Sequence, residues 1–507
     1  MRVGAEFLAG LNDGREVYYR GRRVNDIASH PVLGRCARHN ALVFDLARDG
    51  PLATRLVTHD PALGTRISAF YRLPTSRDAL AERSVLIQET TRRSRGIFNI
   101  CKVIGSDALF ALLSVTARNE SGGEFHERVR RYYEHVARRD LAVAVAQTDV
   151  KGDRSLRPHE QPDPDLYVRV KEERPDGIVV RGAKAHITQA PVADELIVIP
   201  SRAMQPGDAD YSLAFAVPAA TPGLRMICRP VLEVEGARHP LEGPRINHDA
   251  LVEALVIFDD VWVPWESVFV YRQPRQASEV ATTFALFHRF SAISYRAAMT
   301  EVLVGLANAI AEANGVDGKS HIRRNIVDLI MYAEVQRMAA SQAAQHGRPD
   351  ERTGIVLPDP LYTNLGKLYS NMRYLEAVQA LIDCAGGMAI TAPSGDDYEN
   401  PALRAYIDKY LAGSGGSGGQ SRFRLFLAIR ELVALLGGLE AVNMVHAEGS
   451  VEASVIEIYR SYDFSASRAL VQQMVNPGET LQATAGRASS AGAFNRGRGV
   501  AYRDIQA

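Results

Sequence analysis

The sequence predicts an α+β protein in which a helical N-terminal part, a β-rich middle part and a long helical C-terminal part follow one another. Three observations carry this. Helical patterning gives way near residue 141 to short β-branched runs separated by turn residues, and returns near Glu279. At 507 residues the chain is too long for one ordinary core. The expected boundaries are 1–140 for the N-terminal helical domain, 141–275 for the middle β domain, 276–475 for the helical bundle and 476–507 for a tail rich in Gly, Ala, Ser and Arg.

In the first part, ALFALLSVTARN has the apolar spacing of a buried helix, and FHERVRRYYEHVARRD is amphipathic with its arginines on a solvated face. In the middle, LYVRVKEERPDGIVVRGAKAHIT reads as a hairpin with Pro175, Asp176 and Gly177 at the turn. ELIVIPS, LAFAVP and ALVIFDDVWVP continue the strand pattern. Bundle-like periodicity then runs from about Glu279 to Tyr462. No internal repeat is present.

Lys+Arg and Asp+Glu both number 59, so the whole-chain charge gives no pull toward nucleic acid or an anionic membrane. No apolar run reaches the roughly 20 residues that span a bilayer. Glu6, Asn12 and Asp13 interrupt the N-terminus too early for a signal peptide, and the expectation is a cytoplasmic protein. Cys36, Cys101, Cys228 and Cys384 form no C-x-x-C pair and read as small buried hydrophobes.

Two local signals carry no chemistry. Residues 415–419 match G-x-S-x-G, but a nucleophile elbow needs a strand before it, and here KYLA precedes and QSRFRLFLAIR follows; a helix–helix linker fits. GKS at 318–320 lacks the first glycine of a phosphate loop, where Ala313 stands. There is no G-x-G-x-x-G after a strand and no H-E-x-x-H.

The densest polar block is residues 147–200. Gln147, Thr148, Lys151, Asp153, Arg154, His186, Thr188 and Gln189 offer hydrogen-bonding groups and cations around one end of a small β domain. The edge of a flavin ring needs such contacts. From spacing alone, turn and hairpin chemistry accounts for the same residues.

This block, with TDVKGDRS and GIVVRGAKAHIT, closely resembles the flavin-binding segment of the family that joins 4-hydroxyphenylacetate 3-hydroxylases to 4-hydroxybutyryl-CoA dehydratases. LNDGREVYYRGRRVNDIASHP (11–31), GSDALFAL (105–112), ALVIFDDVWVP (254–264), FHRFS (287–291), GGMAITAPSGDDYENP (386–401), IDKYLAG (407–413) and HAEGS (446–450) extend the resemblance in order over about residues 10–475. The motifs resemble the dehydratase branch more closely. The resemblance implies an acyl-CoA dehydrogenase-like fold with a middle β-barrel and a C-terminal four-helix bundle. It further implies FAD, held in part by Gly449 and Ser450, and a homotetramer.

Departures from both branches narrow the expectation. The dehydratase branch ligates an iron–sulfur cluster through three cysteines and a histidine. The histidine is kept as His288, but the cysteine positions fall on Asn99, Val103 and Tyr295. With no thiolate at those positions, no cluster and no metal is expected. The lysine after the last cysteine becomes Arg296, and the tyrosine four residues after the histidine becomes Ala292. In the hydroxylase branch the substrate-binding Arg and Tyr correspond to Ile104 and Ala108, and the phenol-contacting histidine falls near Val145. A more apolar substrate pocket follows, lined by Ile104, Ala108, Val145 and Ala292.

By itself His288 reads as a core histidine; the family motif places it facing the flavin, where it can serve as acid or base. Glu253, retained from the dehydratase branch, is either catalytic or a partner for the INHD segment. Tyr295 and Arg296 complete the candidate catalytic set. The chain shows no nicotinamide domain, so the expected function is a monooxygenase that takes FADH2 from a separate reductase. The alternative is a cluster-free flavoenzyme acting on an acyl thioester, and a non-catalytic flavin-binding protein is a third reading. Nucleic acid and membrane are not expected partners.

Overall fold

The computed structural model describes residues 1–48, 50–118, 123–230, 239–416, 418–435 and 437–475. The expected tail, 476–507, therefore lies outside the described residues. Chain contacts divide into Met1–Ile458 and a small unit from Tyr459, in which helix Ser465–Val475 follows an aromatic turn where Phe464 packs against Tyr459 and Tyr462.

β-Branched alternation forms two sheets. In the six-stranded sheet, Gly177–Thr188 and Glu253–Pro264 pair antiparallel at the centre, with Thr188 opposite Glu253 and bulges after Ala254 and Phe258. Arg169–Arg174 flanks the first and Leu224–Cys228 the second. The other edge is Glu16–Tyr19 with Arg22–Val24: the expected helical N-terminal domain lends two strands, the first parallel to Leu224–Cys228. The second sheet orders Val268–Tyr271, Leu213–Pro218, Glu195–Val198 and Val143–Ala146. These are separate sheets and not the expected closed barrel. Their apolar faces meet: Phe215 of one and Phe258 of the other cross edge to face at 5.8 Å, among Val180, Leu196, Met226 and Val256.

The hairpin turn is tighter than expected. Only Pro175 and Asp176 link the strands, and Gly177 already pairs with Arg174. A Cβ on Gly177 would lie 2.3 Å from the Val263 carbonyl oxygen, so only glycine lets the neighbouring strand approach.

Helices account for most of the rest. Val103–Thr116 is buried along nearly its whole length, as its apolar composition dictates. Glu124–Arg139 is amphipathic, and Arg130 and Arg131 pair with Glu127, so this arginine cluster is neutralised on a solvated face. Pro274–Asn314 starts with Pro274 at its first turn and ends where Gly315 adopts φ +67°. Ser320–Gln345 and Pro360–Ala385 pack on it and on each other, and Gly419–Arg430 joins them. The Gly/Ser run at 413–419 links helices, as expected; Ser417 lies outside the described residues. Among the described residues no helix is long and apolar enough to cross a membrane.

Candidate active site

The polar block is fastened to the middle of the molecule by a buried ion pair. Lys184 projects from Gly177–Thr188 and donates to Asp149 (2.5 Å) and to the carbonyls of Gln147 (2.9 Å) and Ile199 (3.0 Å). Asp149 also accepts from the Ser201 hydroxyl, and the Thr148 carbonyl from the Ala185 N–H (2.8 Å). With these groups consumed, the Thr148 and Thr188 hydroxyls, the Lys151 ammonium and the His186 imidazole make no side-chain hydrogen bond or ion pair among the described residues. Lys151 and His186 both hold positive φ, +76° and +41°. Desolvation, then the charge of Lys151, holds the His186 pKa below the ordinary imidazole value, opposed by Glu253; His446 adds to the lowering. The fields of Lys151, Glu253 and His446 thus meet at His186. The 147–154 loop is paired to the 186–188 strand end through Thr148–Ala185 and Asp149–Lys184, and His446 of the HAEGS loop acts on His186 through its charge.

Beside this loop, helix Pro274–Asn314 contributes four of the named residues. Glu448 is the hub. It accepts from the Tyr295 hydroxyl and from Arg296 (2.5 Å). Arg296 is completely buried and also donates to Asn371 (3.1 Å) and the Asn443 carbonyl (2.7 Å). Arg289 donates to the Glu448 carbonyl (3.0 Å), Lys367 to the Gly449 carbonyl (2.7 Å) and Asn371 to the Val445 carbonyl (2.5 Å). Despite burial, Arg296 and His288 hold the Glu448 carboxyl below its ordinary value, while burial pulls Lys367 down to about 7. Glu448 and Gly449 both take positive φ. The loop is thereby held from behind, leaving Gly449 and Ser450 exposed.

Two turns before Tyr295 on the helix stands His288, stacked on Phe284 at 5.3 Å. Its Nδ1 lies 3.7 Å from Asp107 Oδ2, and both atoms are buried without a hydrogen-bond partner. Asp107 Oδ1 accepts from Arg83 (2.6 Å) and Ser291 (3.0 Å). Ile104 and Ala108 share the Asp107 helix, Ala292 neighbours Ser291 and Val145 lies in the adjoining strand; Ala108, Val145 and Ala292 are buried in apolar clusters.

Several sequence expectations change. Gln189 is scaffold: its amide donates to Asn40 (3.0 Å) and accepts from the Val252 N–H (3.1 Å), which leaves no free edge for a cofactor. Asp153 accepts from the Ser155 N–H and hydroxyl in an exposed turn, with Arg154 exposed beside it. Glu253 pairs with Arg229 (2.5 Å), outside the INHD segment; there Asp249 instead binds His39 and Arg95. Tyr295 donates to Glu448, and Arg296 ties Glu448 and the Asn443 carbonyl to Asn371. Asn99 donates to the His39 carbonyl (2.6 Å), Val103 is buried and Tyr295 donates to Glu448, so these three side chains serve packing and loop support. Asp107, Arg83, Glu448 and Lys367 were not singled out from sequence. GSDALFAL and HAEGS contained the two acids, but their partners lie far along the chain.

The comparisons agree over the whole of this architecture. Residues 3–270 match the family described as 4-hydroxyphenylacetate 3-hydroxylase N terminal, and 277–476 its C terminal counterpart. The 4-hydroxyphenylacetate 3-monooxygenase oxygenase component of Thermus thermophilus is 32% identical, covering 82% of this chain and 84% of that protein. The 4-hydroxybutyryl-CoA dehydratase/vinylacetyl-CoA-Delta-isomerase of Clostridium aminobutyricum is 30% identical over 92% of this chain and 97% of that one. The two identities are close, so overall similarity does not repeat the preference of the motifs for the dehydratase branch. The crystal structure of the oxygenase component HpaB complexed with FAD superimposes with TM-score 0.86 at 27% identity, covering 94% of this chain and 99% of that one. Mixed helix and sheet in this arrangement, matched along nearly the full length, make this chain a member of the 4-hydroxyphenylacetate 3-hydroxylase family.

Proposed function

We propose that the chain is the oxygenase component of a two-component flavin monooxygenase. It would use FADH2 from a separate reductase and O2 to oxygenate a small organic substrate, aromatic or carrier-bound. The overall change is substrate–H + FADH2 + O2 → substrate–OH + FAD + H2O. The observation that carries this reading is the convergence of unspent donors at the flavin-like block in a chain related throughout to FAD-dependent oxygenases. The residues fit the cofactor: Thr148, Thr188, Lys151 and His186 retain free polar groups, and the supported HAEGS loop presents Gly449 and Ser450. Gln147 adds an amide held only by a long 3.4 Å contact to the Pro200 carbonyl.

Bound reduced FAD would supply the electrons that activate O2. Lys151 and the two threonines would anchor the ring edge, and the buried apolar side chains Ala108, Val145 and Ala292 would keep water from the reacting face. His288, beside them, would orient the substrate and handle its proton. The acyl-CoA dehydrogenase-like description with a four-helix bundle, the three-part domain boundaries, a homotetrameric assembly and cytoplasmic residence belong to the same proposal.

The second reading, proton abstraction from an acyl thioester, is supported by the Clostridium relative and by retention of Glu253. The Arg229 pair counts against it, because the Glu253 carboxylate is already engaged by the guanidinium at 2.5 Å. One experiment separates the two. FADH2 is mixed with air and a panel of phenols and thioesters, with a parallel anaerobic incubation of each thioester in deuterated water. An oxygenated product that incorporates label from 18O2 is expected. Deuterium entering a thioester without oxygen, with no oxygenated product in air, would replace this reading by the second.

A further inference from the structure

Two buried polar atoms in this molecule face each other without a bond. Asp107 Oδ2 and His288 Nδ1 are each unpartnered, and 3.7 Å separates them. Leaving either atom buried and unsatisfied is costly, and together they are complementary: a ring N–H is what the carboxylate oxygen lacks. The carboxylate is braced for the task. Its other oxygen is held by Arg83 and Ser291, and Arg83 is fixed in turn by the carbonyls of Phe70 and Val103, both at 3.0 Å. Stacking on Phe284 sets the plane of the imidazole. Contacts of this kind often stay long until a ligand closes the site.

We propose that Asp107 is the positioning residue of His288 and that the pair takes the proton of an ionisable substrate hydroxyl. This rests on the oxygenase reading for the location of the substrate. An Nδ1–H donated to Asp107 leaves Nε2 unprotonated and aimed by the ring plane. When a hydroxyl such as a phenol binds, its O–H bond breaks, a bond from the proton to Nε2 forms, and the electron pair stays on the substrate oxygen. The Asp107 carboxylate stabilises the resulting imidazolium, and the proton leaves with product. The substrate class is therefore one with an acidic hydroxyl.

The probe is 4-nitrophenol, whose visible absorption reports its own ionisation, bound to the full-length protein loaded with oxidised FAD. At a pH about one unit below the probe's own pKa, the wild-type protein should bind it mainly as the phenolate. Asp107→Asn should lower the ratio of bound phenolate to bound phenol about tenfold, a change of one pKa unit. His288→Gln should do at least as much, and combining the two should add nothing. Ser291→Ala, which keeps the carboxylate and removes one brace, should shift the ratio the same way by less, and it serves if Asp107→Asn fails to fold. FAD affinity of each variant, followed by flavin fluorescence, separates a collapsed site from an altered proton acceptor. The proposal is overturned if wild type does not bind the probe or binds it un-ionised. It is equally overturned if Ser291→Ala and any folded Asp107→Asn protein leave the ratio unchanged. If the probe ionises normally but no substrate is oxygenated in air, the oxygenase reading fails and the Asp107–His288 pair stands.

Discussion

Lys367 carries its ammonium into the helical core and uses it to hold the Gly449 carbonyl. Burial lowers its pKa to about 7, against the pull of Glu448. In the unfolded chain a lysine titrates near 10.4, so between about pH 7 and pH 10 the unfolded state binds the additional proton. Its contribution to stability is therefore present above the unfolded value and lost as pH falls through the folded one. Lys367→Met should remove this rising slope: melting temperature between pH 7 and 10 should climb less with pH than in wild type. It should also free the HAEGS loop and weaken FAD binding about tenfold or more, since the loop then lacks one of its ties. An unaltered slope in thermal scans across that range would place the lysine's proton elsewhere. The sequence draws attention to His288, Gly449 and Ser450 because they sit in contiguous motifs. Glu448 lay in the same motif and was passed over, because its meaning comes from Tyr295 and Arg296, 153 and 152 residues away. Gln189 failed in the opposite way: it looked like a cofactor contact until Asn40, 149 residues earlier, claimed its amide.

Helix Val103–Thr116 supplies Asp107, and its height over the second sheet is set by Gly105. A Cβ there would meet the Val143 side chain at 2.6 Å and the Val143 carbonyl oxygen at 2.8 Å. Gly105→Ala must therefore lift the helix off the strand, and overpacking of this kind costs about 1–3 kcal/mol. Denaturant unfolding should register that loss. Because Asp107 moves with the helix, bound 4-nitrophenol should ionise less in the same variant. A variant as stable as wild type would mean the strand yields easily. Apolar periodicity revealed this helix and the strands around it, since it is a local property. The closed barrel expected by resemblance did not follow from that pattern: alternation says which face of a strand is buried, and says nothing of whether the sheet edges meet. The strand pair at Glu16–Val24 escaped notice for a related reason. Its partner, Leu224–Cys228, lies some two hundred residues on, and so short a segment carries little period of its own.

At the scale of the whole molecule, apolar stripes lie exposed on two packed helices among the described residues. Val327, Ile330, Met331 and Met338 lie exposed on Ser320–Gln345, and Leu365, Met372, Leu375 and Ile382 on Pro360–Ala385; Met338 and Met372 are each 63% exposed. Scattered apolar side chains need no explanation, but rows at helical spacing on two packed helices mark a surface that associates. The proposed homotetramer gives these rows a partner in a second copy of the chain. Introducing two charges into such a surface opposes association, because each would be buried unpaired when the copies meet. The double variant Met338→Glu/Met372→Glu should fold with an unchanged circular dichroism spectrum and sediment as smaller species, with the mean mass falling from about four chains toward one or two. If a neighbouring chain in the proposed tetramer helps hold the cofactor, FAD affinity should fall with it, and raising the protein concentration should recover part of it. If mass stays at four chains, these rows face something other than the subunit interface. If mass falls while FAD binds as before, each chain holds its cofactor alone, as the pairing of the 147–154 loop with the 186–188 strand end and the charge of His446 acting on His186 within one chain would allow.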